Sequence, residues 1–292
     1  MKHNGRSGRS VKREVLLEMM IAEKMRKLYP LLNVLKLMKI AKPLGAKQAL
    51  GFYVAPLKWI AHLGRLKYYE ALPSLLTLNS PYGTFCTHSP NVFFLVHETY
   101  EIEHVLSNLI NRDTVFVDIG AYLGLYTVYA CRRARRVLAV EPNPMALIYL
   151  RANIALNNCS NVIIAPKAVS NKQGMVRLRI PRPAKKGQVP GSASIVWSFE
   201  ETLEIDVETD TLDNIVDEVG LDTVDFIKID VEGAEGLVIK GSEKTLRKAK
   251  ALLIEVWPEN IWIIGHLQGL GYKLMTVIGH NIYKNYNYLF FK

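Results

Sequence analysis

The chain has 292 residues, 49% of them apolar and 22% charged, a balance that supports a sizeable core and excludes global disorder. Cys86, Cys131 and Cys159 stand apart, with no CxxC pair and no histidine at metal-ligand spacing; this argues against a zinc centre and a disulfide scaffold and suits a reducing cytosol. The net charge of +10 is one-sided: residues 1–70 hold 15 Lys/Arg against 4 Asp/Glu, and residues 71–292 hold 22 against 23, so the basic character belongs to an N-terminal extension with a role of its own.

Residues 1–10 are rich in Gly, Ser, Arg and Lys and read as disordered. Over 11–40 apolar residues recur at helical spacing, and Tyr29-Pro30 divides the stretch into two helices. A third helix fits 57–70. Ser80-Pro81-Tyr82-Gly83 reads as a turn, "VFFLVH" (92–97) as a strand and "YEIEHVLSNLI" (100–110) as a helix. From Val115 strand and helix alternate: strand 115–119, helix 123–133, strand 137–141, helix 144–157, strand 162–166. Strands 174–180 and 203–207 interrupt the alternation, joined by a Pro/Gly/Lys-rich loop (181–194) suited to gating a substrate. Helix 211–219, strand 225–230, helix 234–248, strand 251–256, a helix near 259–270 and strands 273–278 and 286–291 complete the chain. Apolar strands alternating with helices predict an α/β domain with a mostly parallel sheet covered on both faces, and the closing strands predict an antiparallel edge. The division expected is a basic helical extension over 1–75 and an α/β domain over 76–292. No run reaches the roughly 18 uncharged apolar residues of a spanning helix, and no signal-type apolar core follows the basic start.

The stretch "VFVDIGAYLGLYTVYA" places Asp118 at the end of the first alternating strand, ahead of Gly120 and Gly124. Ligands of open α/β sheets sit beyond the carboxyl ends of the strands. Gly120 permits a tight turn with positive φ, and Gly124 permits close approach. A carboxylate at the front of such a loop repels phosphate and attracts a cation, which favours S-adenosylmethionine, a sulfonium without phosphate, over a dinucleotide. Glu141, about twenty residues on at the end of the second strand, stands where an acid accepts hydrogen bonds from ribose hydroxyls. In "KIDVEGAE" the period-two pattern puts Lys228, Asp230 and Glu232 on one side of a strand end leading into a helix. A carboxylate there can act as the base that O-methylation needs; the alternative is a Lys–carboxylate pair with acids at a helix N-terminus. Glu255 and Trp257 end the next strand beside the same cleft, and His97, Glu98, Tyr100 and Glu101 precede the first strand, where capping the cleft competes with helix packing.

Together with "VLAVEPNPMALIYLRANIALNN", "KAVSNKQGMVRL", "DTLDNIV" and "VDFIKIDVEGAEGLVIKGSEKTL", these motifs resemble the FkbM family of S-adenosylmethionine-dependent methyltransferases over about 98–272. The resemblance implies a Rossmann-like class I methyltransferase fold and O-methylation of hydroxyls on sugars, glycolipids or other small molecules. It implies that Asp118, Gly120, Ala121 and Gly124 line the methionine end of S-adenosylmethionine. Glu141, followed by Pro142, holds the ribose, and Ala168 and Val169 flank the adenine. Asp230 and Glu232 are the candidate catalytic acids, and no metal ligand set is expected. One family feature is altered: an Asn is common between the two motif glycines, where this chain has Tyr122-Leu123. Competing readings are an RNA methyltransferase and a non-catalytic, membrane-peripheral cofactor binder. Nucleic acid is disfavoured, because the basic segment has little aromatic interleaving and no NPPF- or DPPY-like motif is present. For residues 1–70 three roles compete: an anionic membrane surface, packing or a homo-oligomer contact, and nucleic acid. A cytoplasmic location follows from the composition.

Overall fold

The computed structural model describes residues 34–61, 72–88, 91–97, 99–182, 191–278 and 286–292. The stretch 1–10, the part of the helical reading of 11–40 before residue 34, the part of the helix expected over 57–70 after residue 61, Glu98, and residues 183–190 of the expected 181–194 loop lie outside them.

The described part of the extension is helix α1 over 34–40, strand β1 (Lys42–Pro43) and helix α2 (Ala46–Ala61). β1 pairs antiparallel with β2 (Leu75–Ser80), which forms a hairpin with β3 (Gly83–His88) around the expected turn. Val34, Leu37 and Phe52 are buried in one apolar cluster with Phe85, Phe94 and Phe116, so this part of the extension shares a core with the α/β domain. The outer edge of β3 is closed by asparagine side chains. Asn153 Oδ1 accepts from Cys86 N at 2.7 Å, and Asn157 accepts from Thr84 N at 2.8 Å and donates to Thr84 O at 2.6 Å. A strand edge that would otherwise present bare polar groups is thereby satisfied. The strand expected over 92–97 is instead a turn and a short helix, α3 (Phe94–His97). Its uniform apolarity comes from burial of Phe94, Leu95 and Val96 on the core, which a short run cannot distinguish from a strand. The helix expected over 100–110 is present, and its middle, Ile102–Leu106, is a π turn.

The central sheet has seven strands in the order β12-β13-β11-β10-β4-β5-β6. These are β4 (Val115–Ile119), β5 (Arg136–Val140), β6 (Val162–Ala165), β10 (Phe226–Ile229), β11 (Ala251–Val256), β12 (Lys273–Ile278) and β13 (Tyr286–Phe291). All pairings are parallel except those of β13, which runs antiparallel to both neighbours. Every residue of β4 and β10 is buried, as expected of strands covered on both faces. Strand order reverses between β4 and β10, so the ends of these two strands flank the switch point where α/β sheets bind ligands. A second sheet joins β7 (Ala168–Val169), β9 (Thr202–Asp210) and β8 (Gly174–Pro181) beside the ends of the central strands. The helix expected over 234–248 divides at Gly241 into Glu235–Lys240 and Glu243–Lys248, where a Cβ would meet Ser170 O at 1.9 Å. Cys131 and Cys159 form a disulfide with Cα atoms 5.6 Å apart, contrary to the expectation of isolated thiols. The pair is separated by 28 residues, a spacing that carries no sequence signature, so only the fold brings it together.

Candidate active site

Two cavities meet at the switch point. The first, of about 570 Å³, lies over the ends of β4 and β5 and is closed by β7 and residues 191–195. The second, of about 840 Å³, lies over the ends of β4 and β10 beneath residues 91–94.

The first cavity is framed by the "EPNP" turn. Asn143 caps helix α4 (Pro144–Leu156) by accepting from Met145 N at 3.0 Å, and Pro144 takes the first helical position, where a missing N–H costs nothing. The turn aims Glu141 into the cavity. Its Oε1 accepts from Asn143 N and its Oε2 from Tyr122 N, both at 2.8 Å. Each oxygen keeps a lone pair, so a vicinal diol can still be bound. Burial pushes the Glu141 carboxyl up to about 7, against the two N–H groups and the Lys228 charge, which pull it down. Pro142, Ala168 and Val169 line the same cavity, with Leu178, Ala193 and Ile195 opposite. Of the residues assigned to cofactor binding from sequence, Gly120, Glu141, Pro142, Ala168 and Val169 thus converge here. Asn143 and Lys167 also line this cavity, whose other walls are largely apolar, and Glu141 offers it a diol acceptor.

Gly120 has φ +78, and a Cβ on it would lie 1.8 Å from Asp230 O. This position requires glycine because the two strand ends touch there. Ala121 lines the second cavity. Asp118 and Gly124 line neither. Gly124, at φ +88, faces Leu150, whose Cδ1 would lie 2.5 Å from a Cβ; it is a helix-packing glycine. Asp118 is wholly buried behind the loop. Its Oδ2 accepts from Thr127 Oγ1 at 2.6 Å and its Oδ1 lies 3.9 Å from Lys228 Nζ. Burial raises its carboxyl above the ordinary range, and Lys228 and Thr127 pull it back. Asp118 therefore reaches the cleft through Lys228.

Lys228 is buried and lines the second cavity with Asp230 and Glu232. Its ammonium lies 3.3 Å from Asp230 Oδ2, donates to Gly120 O at 3.4 Å and stands 4.9 Å from the centre of the Tyr126 ring. Lys228, Asp230 and Glu232 line one cavity, but strand alternation does not bring them together: β10 ends at Ile229, Asp230 and Glu232 belong to the turn that follows, Glu232 has φ +53, and Val231 lines the first cavity. More acids lie behind them. Burial pushes Glu235 up to about 7. Glu255 is pushed to about 9, first by burial and then by Asp230, Glu232 and Glu235, although it accepts from Trp257 Nε1 at 2.9 Å. Glu101 is raised by burial; its Oε1 accepts from Asn287 Nδ2 at 3.2 Å. Neither Glu255 nor Trp257 lines either cavity; Trp257 packs edge-on against Trp197. Among the described residues no group of three or more His, Cys, Asp or Glu is placed to hold a metal ion.

Sequence reasoning missed the roof of the second cavity. Asn91, Phe93 and Phe94 come to it from a segment more than twenty residues before the glycine loop, and no local signal announces that. Tyr126 could have been found, since it stands in the first turn of the helix that follows the glycine loop. It also missed the strap that follows the 181–194 loop. Ser194 Oγ donates to Glu232 O at 2.7 Å and accepts from Val196 N and Trp197 N, pinning residues 191–197 across the acidic turn.

The model of the methyltransferase FkbM domain matches residues 118–274, which run from the acid of the glycine loop past the acidic turn. Methyltransferase sdnD of Sordaria araneosa is 28% identical over 186 residues, covering 54% of this chain and 70% of that protein. The 2-O-methyltransferase NoeI of Sinorhizobium fredii is 27% identical over 172 residues, covering 54% and 69%. Among solved structures, a methyltransferase FkbM from Methylobacillus flagellatus aligns at a TM-score of 0.46 and 17% identity, covering 93% of this chain and 60% of that one. The motifs at the switch point and the family match over more than half of the chain lead to one conclusion: this chain belongs to the FkbM family of methyltransferases.

Proposed function

We propose that the chain transfers a methyl group from S-adenosylmethionine to a hydroxyl of a sugar, glycolipid or other small molecule. The observation that carries this reading is the pairing of the two cavities, one suited to an adenosine and one holding an ionisable Asp230 at its floor. Bound S-adenosylmethionine supplies an electrophilic methyl on a sulfonium. In the first cavity Glu141 accepts the ribose hydroxyls, and Ala168 and Val169 pack on the adenine. In the second, Asp230 would take the proton of the acceptor hydroxyl as the hydroxyl oxygen accepts the methyl that the bound cofactor would supply. Lys228 holds the Asp230 carboxylate in place, and Glu232 stands ready to hydrogen-bond a second hydroxyl. The aromatic rings of Phe93, Phe94 and Tyr126 with carboxylates beneath them suit a polyol ring, which presents C–H faces and hydroxyl edges. The name of the NoeI relative, a 2-O-methyltransferase, supports oxygen as the acceptor atom.

Incubation with methyl-labelled cofactor and separated lipid, glycan, RNA and small-molecule pools tests the reading. Label in the glycan, lipid or small-molecule pool, lost in Asp230→Asn, is expected. Label confined to RNA, or an Asp230→Asn variant as active as the parent, refutes it.

A further inference from the structure

A methyl group moving between the two cavities must cross the line where they meet. Three residues are common to both: Gly120, Tyr122 and Gly191. Two of them have no side chain, so the ring of Tyr122 gives this border its shape. The backbone there is unusual. Tyr122 has φ +51, a left-handed conformation costly for an aromatic residue, and strained backbone that persists is a pointer to function. The position is held at three points. The Tyr122 N–H donates to Glu141 Oε2 at 2.8 Å, its hydroxyl accepts from the amide of the buried Asn91, and Gly191 lies over the ring, where a Cβ would sit 3.7 Å from Cζ. The ring therefore bridges the glycine loop, the roof of the acceptor cavity and the strap.

Resting on the S-adenosylmethionine reading above, we infer that Tyr122 is the positioning and size-selecting residue of the passage between the cavities: its ring, pinned by Asn91, packs on the sulfonium end of the cofactor and admits a methyl but no larger S-alkyl group. The electron-rich face of the ring suits a sulfonium, as it does other cations, and its bulk occupies the space an ethyl or propargyl group would need. The turn after β10 meets this border through the main chain, where Asp230 O approaches Gly120; Tyr122 is the side chain that decides what is transferred.

Calorimetry on the full chain tests this without knowledge of the acceptor, using S-adenosylmethionine and its S-ethyl and S-propargyl counterparts. The parent protein is expected to prefer the methyl sulfonium by about 10-fold or more, the discrimination a tight pocket achieves for added carbon atoms. Tyr122→Gly adopts φ +51 without strain, which offsets part of the ring packing and the Asn91 hydrogen bond that it loses, and in the folded variant the preference is expected to shrink to about threefold or less. Asn91→Ala leaves the loop backbone untouched and is expected to shift the preference in the same direction by a smaller amount. A parent protein that binds all three alike, or a Tyr122→Gly variant that keeps the parent's preference, overturns the inference. A parent that binds the methyl and S-ethyl cofactors alike leaves the cofactor reading standing, whereas one that binds none of the three overturns both.

Discussion

Two strand-to-helix turns face each other across the switch point, and they use the same backbone device for different ends. The turn after β4 has positive φ at Gly120, Tyr122 and Gly124; the turn after β10 has positive φ at Glu232 and Gly233. The first is selected for what it lacks, since the missing side chain of Gly120 lets Asp230 O approach. The second is selected for what it carries, since Asp230 and Glu232 project into the acceptor cavity. They are also tied together: Asp230 N donates to Ile119 O at 3.1 Å, and Lys228 Nζ to Gly120 O. The two turns are thus interlocked, the one after β4 through a close main-chain contact and the one after β10 through the carboxylates it presents to the second cavity.

If that contrast is right, the turns fail in different ways. Gly120→Val forces a branched side chain into φ +78 and into a main-chain oxygen that has no room to move. The expected loss is ~3 kcal/mol or more of stability, with no measurable binding of S-adenosylhomocysteine. Gly124→Ala meets only the end of a flexible Leu150 and is expected to cost about 1–2 kcal/mol with binding retained. Thermal denaturation and calorimetry on both variants check this; equal losses would erase the distinction between a ligand-loop glycine and a packing glycine.

On the acid side the fold is expected to survive and the chemistry to fail. Asp230→Asn preserves shape and removes the proton acceptor. Transfer to the labelled acceptor pool is expected to fall by about 10²–10⁴-fold while cofactor affinity changes by less than about twofold. Glu232→Gln, which keeps cofactor binding and loses a hydrogen-bond partner rather than the base, is expected to raise KM more than it lowers kcat. A larger kcat loss in Glu232→Gln than in Asp230→Asn would exchange their roles.

This difference between the turns also explains what the sequence could reveal. Gly120, Glu141 and the "EPNP" turn are legible because their placement depends on φ, capping and spacing, all local properties, whereas Gly124, expected at the cofactor, packs against Leu150 on another helix. The alternation of strand and helix from Val115 onward is legible for the same reason, with β8 and β9 longer than their apolar pattern suggested because their outer faces are charged (Arg177 with Glu204 and Asp206). Asp118 could not be placed: its buried partners Thr127 and Lys228 lie nine and 110 residues away, and nothing local separates a cleft acid from one behind it. The roof residues Phe93 and Phe94 fall in the run 92–97 that reads as a strand because a short buried apolar run has no period of its own, and Asn91 just before it carries no signal at all. The hairpin over 75–88 showed only its turn, since Leu75–Ser80 alternates weakly.

Buried carboxyls behind the turn after β10 make stability depend on pH, and Glu141 beside the glycine turn, pushed up to about 7, adds to that dependence below neutrality. Glu255 titrates at about 9 in the folded protein against an ordinary value of 4.5. Folded chains therefore hold a proton that unfolded chains release between these values, so stability falls as pH rises from about 4.5 to 9, at up to about 1.4 kcal/mol per pH unit for this group. Glu235, at about 7, adds to the fall below neutrality. Glu255→Gln is expected to raise the melting temperature at pH 8 and to change it little at pH 4.5. A variant equally stabilised or destabilised at both pH values would show that burial and crowding of carboxylates do not govern this turn.

The smallest expected effect concerns the strap that joins the two sides. Ser194 Oγ donates to Glu232 O and accepts two backbone N–H groups, while its neighbours Ala193 and Ile195 wall the cofactor cavity. Ser194→Ala removes the donor and leaves one buried carbonyl and two N–H groups to find other partners. Water can reach part of the strap, so the expected cost is about 1 kcal/mol of stability rather than the sum of three bonds. Cofactor affinity is expected to weaken by no more than about fivefold, because Glu141 and Gly120 are held by other contacts. The contrast between the turns sets the sign of a further comparison: the loss should be larger for Ser194→Ala combined with Gly233→Ala, whose Cβ would press into Trp197 at 2.4 Å, than for the two variants added separately. Additive losses in such a double-mutant cycle would mean that strap and acidic turn move independently, and that the carboxylates are positioned by β10 alone.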